Sequence, residues 1–491
     1  MLDRFIAFVE DEPWMAALGF SLLVTALRYL HLSVVQTDLG ADEAQYWFWG
    51  QELAFGYYSK PPMIAWIIRL STEIFGETVF GVRALSPLFL AGTGLSLFAV
   101  GRKMFGDKAG LSTLLLWHIM PAVIYGGTLI STDIPLLFFW SLALFFLVKI
   151  IEAPRGTKSV WGLALGAAWG LAFLSKYAAI YFLIGLALAF LTSRYVRRGL
   201  TARSLILACL VAGAVISPNV LWNGRHGFQT VRHTADNAQW SGLSLHLREL
   251  SDFFIGQFAV AGPLLFGILL FGLVRYRFRA DPKERFLVSM TLPPLIMIAC
   301  QALLSRAHAN WAITAYPAAL LLLPVWLLRM QIERLVLPAA VLLHGAAWLI
   351  FVAVTTDFQR TDAWGFSSAV KRERAWGETA DAIRAALPGY DGLILDDREI
   401  AAHLIWELRD DAIDIEVFDN NGRLNNTYEL AMPFEPRGKA RRLLITKVPD
   451  EAFAAYGPMG ARQPAGVLFI DLHTEKRGRK ERTLDLYTVN R

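Results

Sequence analysis

Charge is scarce in this chain. Only 18% of its 491 residues are Asp, Glu, Lys or Arg, whereas a soluble domain carries about 25%. A soluble protein of this length would have too few charges to cover its surface. Cysteine is scarcer still. Cys209 and Cys300 both fall inside apolar runs, which excludes a disulfide framework and zinc-type spacing. The sequence has no P-loop, no dinucleotide-binding glycine fingerprint and no internal repeat. Missing repeats disfavour repeat-built transporters. The N-terminus MLDRFIAFVEDEPW carries several acids and no A-x-A site follows the first apolar run, so that run reads as an uncleaved anchor. The net charge is only +5, and the basic residues sit in short clusters between apolar runs. Nothing argues for nucleic acid.

What the chain has is apolar length. Hydrophobic residues make up 55% of it. A membrane helix needs about 20 mostly apolar residues, and about eleven segments meet that need. They run over 14–35, 79–101, 109–129, 133–151, 159–175, 177–193, 202–220, 253–274, 286–304, 309–328 and 333–355. Basic clusters follow every second segment: Arg102–Lys103–Lys108, Lys149–Arg155–Lys158, Arg194–Arg197–Arg198–Arg203, Arg275–Lys283–Arg285 and Arg329–Arg334. Positive residues mark the cytoplasmic side. The N-terminus is therefore expected in the cytoplasm of a bacterial inner-membrane protein, and an odd number of spans leaves the C-terminus outside.

Residues 357–491 change character. Short strand-like runs appear, GLILDD (392–397), IDIEVFD (413–419), RRLLITK (441–447), GVLFIDL (466–472) and TLDLYTV (483–489). Helical patterns lie at 376–387 and 398–408. The expected fold is thus a polytopic α-helical membrane part over 1–356 with a C-terminal periplasmic α/β domain over 357–491.

Two outer loops, 36–78 and 221–252, are too long to be simple connectors. DEAQYWFWGQEL in the first can form an interfacial helix, on which Asp42 and Tyr46 share one face and Glu43 and Trp47 another. Its aromatics suit the membrane–water boundary. The outer helix ends carry most of the remaining polar residues. Asp42 and Glu43 follow the first span, and Tyr58 and Lys60 precede the second. Asp133 lies between the third and fourth, and Lys176 with Tyr177 between the fifth and sixth. Asn223, His226 and His233 follow the seventh, and Arg306 and Asn310 lie between the ninth and tenth. Each has a bland alternative. Asp133 fits a helix start, the lysines can snorkel to headgroups, and the histidines fit hydrogen-bonded interfacial positions. Together they describe a pocket at the membrane surface.

That pocket suits a sugar attached to a polyprenyl phosphate. Cations such as Lys60, Lys176 and Arg306 would stabilise the departing lipid phosphate. A carboxylate within hydrogen-bond reach would take the proton of an acceptor hydroxyl. Asp42 is the first candidate, with Glu43 and Asp133 as alternatives. One direct displacement inverts the anomeric centre. Two competing readings are a lipid-linked sugar transporter or flippase, and a glycan-binding envelope protein. A transporter would place its ionisable residues at mid-membrane; here they lie at the outer helix ends.

The segments ADEAQYWFWGQELAFGYYSKPPMIAW, STDIP, LSKYAAIY, SPNVLWNGRHGFQTVRH, RAHANWAITAYP and NNGRLNNTYEL, in that order, resemble the polyprenyl-phosphate-dependent GT-C glycosyltransferases. These are the family 39-like enzymes related to protein O-mannosyltransferases, lipid A aminoarabinose transferases and rhizobial galacturonosyltransferases. The resemblance implies a catalytic acid at Asp42 and phosphate-contacting lysines at Lys60 and Lys176. It implies a polyprenyl-phosphate-linked sugar donor and an envelope glycolipid, glycan or protein acceptor. In the aminoarabinose transferases an acidic residue before the K-P lysine helps hold zinc. Here that position is Ser59, so a divalent metal is left open and no cofactor is certain.

Overall fold

The computed structural model describes residues 9–236, 245–276, 281–419, 426–435, 440–447, 462–472 and 481–490. Among the described residues, seven helices are long and apolar enough to cross a membrane: Pro13–Val34, Val79–Phe105, Asp133–Glu152, Ala202–Arg225, Pro282–Leu304, Ala309–Met330 and Glu333–Thr356. The run expected at 253–274 is broken. Leu247–Ala261 and Pro263–Tyr276 meet at 116° around Gly262, whose φ is 93°. Gly262 takes a left-handed backbone and Pro263 has no N–H to continue the ladder, so the helix cannot run through. Counted as one span, this pair makes eight. The segments expected at 109–129, 159–175 and 177–193 are also helical, as Asp107–Ile119 with Pro121–Gly126, as Lys158–Ser175, and as a 3-10 turn leading into Ile180–Thr192. Length and composition do not by themselves count them as spans, so the structure confirms seven or more spans and not the exact eleven.

Lipid and protein contacts sort the helices. Ala309–Met330 is largely enclosed by its neighbours, whereas Glu333–Thr356 presents most of its length outward. Leu22, Leu210, Leu335, Leu342 and Leu349 are exposed, as are both cysteines. Apolar side chains pointing outward are what a bilayer requires. Lys158–Ser175 packs on Ala202–Arg225 through small residues four apart. A Cβ on Gly162 would lie 2.5 Å from the Ser204 carbonyl oxygen, and one on Gly166 would lie 2.3 Å from that of Ala208. Such small-xxx-small stripes let membrane helices approach to backbone contact. At one end of the bundle the basic connections meet. Glu152 receives Lys103 at 3.2 Å, Lys283 at 3.7 Å and the Tyr195 hydroxyl at 2.8 Å.

The C-terminal part forms a five-stranded sheet of order β2-β1-β3-β5-β4. Its strands are β1 (Gly392–Leu395), β2 (Ile415–Val417), β3 (Arg441–Thr446), β4 (Arg462–Asp471) and β5 (Glu481–Asn490). β1 runs parallel to β2 and β3, and β5 runs antiparallel to β3 and β4. All five expected strands are present, and so are the helices Trp376–Ala386 and Arg398–Glu407.

This sheet domain does not hang free. Trp47 packs edge-on against Trp406 with centroids 4.8 Å apart, Phe48 lies 5.1 Å from Tyr428, and the Trp49 indole donates to Thr427 Oγ1 at 2.9 Å. One buried cluster therefore runs from the helix Ala41–Gln51 into the sheet domain. The aromatics expected at the membrane boundary face protein instead, because the sheet domain covers them.

Candidate active site

The first outer loop builds one wall. Ala41–Gln51 starts with Glu43 accepting from the Gly40 amide at 2.9 Å, which ties its first turn. Prolines 61 and 62 then stop the chain and start Met63–Phe75. The turn between them is closed by the Tyr57 amide donating to the Lys60 carbonyl at 3.1 Å. Gly56 lets that loop lie on Trp222: a Cβ there would fall 2.4 Å from the indole. Asn219 Nδ2 donates to the Phe55 carbonyl at 2.6 Å, and the Tyr177 hydroxyl donates to Asn219 Oδ1 at 3.0 Å and accepts from Asn223 at 3.2 Å. Asn223 and Tyr177 thus hold the loop that presents Lys60.

The second wall comes from helix ends. Asp133 opens Asp133–Glu152. Its carboxylate does not cap the helix; it pairs with Lys176 Nζ at 2.6 Å and accepts from Asn310 Nδ2 at 3.1 Å. Lys176 sits just past the C-terminus of Lys158–Ser175 in extended backbone, where the helix dipole favours a cation. Lys60 Nζ makes no hydrogen bond among the described residues. Burial pushes its pKa down and Lys176 adds to that, while Asp42 and Asp133 pull the other way. Tyr58 stacks edge-on against His233 at 5.1 Å. Burial first, then Lys60 and Arg398, push the His233 imidazole down to about 4, so it is neutral at pH 7. Tyr46 is buried, and desolvation first and the nearby carboxylates next hold its phenol un-ionised.

Asp42 and Glu43 are neighbours with opposite fates. Glu43 is 5% exposed. It accepts from Arg83 Nε at 2.9 Å and Nη2 at 2.7 Å, from the Ile130 amide at 2.9 Å and from Gly40. Its oxygens are committed to holding the loop. Asp42 is largely exposed and pairs with Arg398 from the sheet domain, which also donates from Nε to Gln45 at 2.7 Å. Two further residues sit apart from the group. His226 stacks on Trp222 and bonds that residue's carbonyl at 2.8 Å, and Arg306 is exposed outside both cavities described next.

Two cavities flank the carboxylates. One, of about 440 Å³, is lined by Lys60, Lys176, Tyr177 and Tyr181 and by apolar Ile180, Met297 and Ile298. Its apolar side belongs to Ile180–Thr192 and Pro282–Leu304. The other, of about 680 Å³, lies between the membrane part and the sheet domain. Asp42, Tyr125, His308, Phe351, Arg372 and Arg398 line it. Arg398, Gln45 and Arg372 did not stand out in the sequence as site residues. Among the described residues no three His, Cys, Asp or Glu side chains cluster as metal ligands. The position beside Lys60 offers the Ser59 hydroxyl and one imidazole, a poor donor set for a divalent ion.

A family model described as dolichyl-phosphate-mannose-protein mannosyltransferase matches residues 59–222. The lipid A galacturonosyltransferase RgtD of Rhizobium johnstonii is 36% identical over 433 residues, covering 87% of this chain and 89% of that protein. An undecaprenyl phosphate-alpha-4-amino-4-deoxy-L-arabinose arabinosyl transferase of Sodalis glossinidius is 32% identical over 133 residues, 26% of this chain and 24% of that one. The crystal structure of ArnT from Cupriavidus metallidurans bound to undecaprenyl phosphate shares the fold. Its TM-score is 0.63 at 15% identity, with 96% of this chain and 98% of that one covered. The chain is a multi-pass membrane enzyme, and it belongs to the polyprenyl-phosphate-dependent GT-C glycosyltransferases.

Proposed function

We propose that this enzyme transfers a uronic acid from a polyprenyl-phosphate donor to a lipid A-type or other lipopolysaccharide glycolipid, by one inverting displacement at the periplasmic face. The polyprenyl phosphate lies in the cavity of Lys60 and Lys176, with its chain leaving along the apolar side toward the bilayer. The acceptor sugar enters the larger cavity under the sheet domain. Asp42, which lines that cavity, accepts the proton of the attacking hydroxyl. The hydroxyl oxygen bonds to the anomeric carbon as the bond from that carbon to the phosphate oxygen breaks. The leaving phosphate gains charge, which Lys60 and Lys176 stabilise. Asp133 orients Lys176, and Glu43 orients the loop.

The observation that carries this reading is the position of Asp42 beside the polar cavity, with two lysines facing the amphipathic one. The uronyl donor and the glycolipid acceptor are read from the galacturonosyltransferase relative. Basic loops gathered at the opposite end support a cytoplasmic N-terminus. The division at about 356/357 is supported by the last apolar span ending at Thr356, after which short helices lead into the sheet that begins at Gly392.

The test is a reconstituted assay with polyprenyl-phosphate sugars and lipopolysaccharide precursors. Mass spectrometry should find free polyprenyl phosphate and glycosylated acceptor in equal amounts, with the anomeric configuration inverted by NMR. A retained configuration would exclude the single displacement.

A further inference from the structure

Three guanidinium groups near the site are held in different ways. Arg83 is gripped by both oxygens of buried Glu43, and Arg374 by both oxygens of buried Asp362 at 2.9 and 3.0 Å. Those are the bidentate pairs expected of structural arginines. Arg398 is held by one oxygen of an exposed carboxylate, Asp42, and by the neutral amide of Gln45. Its Nη1 and Asp42 Oδ2 have no hydrogen-bond partner among the described residues, and both residues line the cavity between the two parts of the chain.

The pair is not needed to dock the sheet domain. Trp47 on Trp406, Phe48 on Tyr428 and the Trp49–Thr427 bond already do that, as does the Trp376 amide donating to Asp38 at 2.9 Å. Nor does Arg398 face the lipid-phosphate cavity, which Lys60 and Lys176 line. It stands where sugars of the reacting pair must meet Asp42. A guanidinium there would be repelled by a developing oxocarbenium-like centre unless a substrate anion met it.

We infer that Arg398 is a specificity-determining residue that reads a sugar carboxylate in the reacting pair, exchanging the Asp42 carboxylate for that of the substrate. This deepens the proposed transfer reaction and rests on it. When the substrate carboxylate takes the guanidinium fork, Asp42 is released, and both of its oxygens become available to the attacking hydroxyl. Recognition of the acid and readiness of the base are then one event. A sugar lacking the carboxylate leaves Asp42 tied to Arg398. The carboxylate comes from either a uronyl donor or an acidic sugar of the acceptor.

The test uses the full-length protein in liposomes with four pairings: polyprenyl-phosphate uronate or the matching neutral hexose, each with a carboxylate-bearing or neutral glycolipid acceptor. The wild type should prefer the carboxylate partner by about 100-fold in kcat/KM, as a charged hydrogen-bonded pair discriminates. Arg398→Gln should collapse that ratio to within about fivefold, and Arg398→Lys, which keeps charge but not the fork, should fall between. If the collapsing preference is for the donor, the donor supplies the carboxylate; if for the acceptor, the acceptor does. Thermal midpoints of the variants report whether the fold is intact. An equal loss on all four pairings with the wild-type ratio kept would overturn the inference and make Arg398 a domain tie. No transfer by the wild type from either donor would instead refute the donor reading beneath it.

Discussion

Glu43 grips Arg83 through two hydrogen bonds of 2.7 and 2.9 Å, and both side chains are almost completely buried. The pair fixes the loop that carries Asp42, since Arg83 also donates to the Asp38 carbonyl at 2.8 Å. Removing the charge of Glu43 strands a buried guanidinium, at a cost of about 3–5 kcal/mol. Glu43→Gln should therefore lower the thermal midpoint of the purified protein sharply. A variant that folds normally but is catalytically dead would reassign Glu43 to the chemistry.

Lys60 should give the site its alkaline limit. Its folded-state pKa is lowered by burial and by Lys176, so the ammonium form is lost as pH rises through a value below the ordinary lysine pKa near 10.4. Donor affinity should fall over that window, and Lys60→Arg should abolish the fall because a guanidinium stays charged. The linkage sign is the reverse of a stabilising lysine. A lowered folded pKa means that charging Lys60 opposes folding below that value, and the penalty disappears as pH rises past the unfolded value. Lys60→Met should leave stability at neutral pH unchanged or higher while donor binding drops. Binding and melting curves from pH 6 to 10 check both signs.

Asp133 is expected to act through Lys176. Asp133→Asn removes the charged half of a 2.6 Å pair, leaving Lys176 less well aimed. The donor KM should rise about tenfold with a smaller change in kcat, and Asn310→Ala should show a weaker version of the same effect. A loss confined to kcat would place Asp133 at the reacting atoms instead.

Metal chelation should leave the rate unchanged. Ser59 and His233 beside Lys60 offer one imidazole and a hydroxyl, and His233 lies in the field of Lys60 and Arg398, which repels a cation. A rate lost to chelator and restored by zinc would show a metal site outside this set.

The sequence made much of this legible, for identifiable reasons. Spans are readable because lipid demands apolar length, and the sheet strands because short apolar or alternating runs stand between polar stretches. Asp42, Lys60, Asp133 and Lys176 stood out because charge at a helix end beside a membrane is costly to keep. Glu43 could not be told from Asp42, since the difference lies in Arg83, 40 residues on. Arg398 was invisible: an arginine opening a helix in an α/β domain is ordinary, and only the fold carries it to Asp42, 356 residues away. The break at Gly262-Pro263 was written in the dipeptide but masked by the hydropathy around it.

In the proposed transfer Asp42 takes the acceptor's proton. The most direct test compares wild type with Asp42→Asn in the reconstituted transfer assay, with donor binding measured separately. An exposed ion pair contributes about 0–1 kcal/mol, so the variant should fold as the wild type does and bind donor at least as well, since Arg398 is then free of its carboxylate partner. Its transfer rate should fall by about 1,000-fold or more. Transfer within about tenfold of wild type would show that Asp42 is not the base and move that role elsewhere.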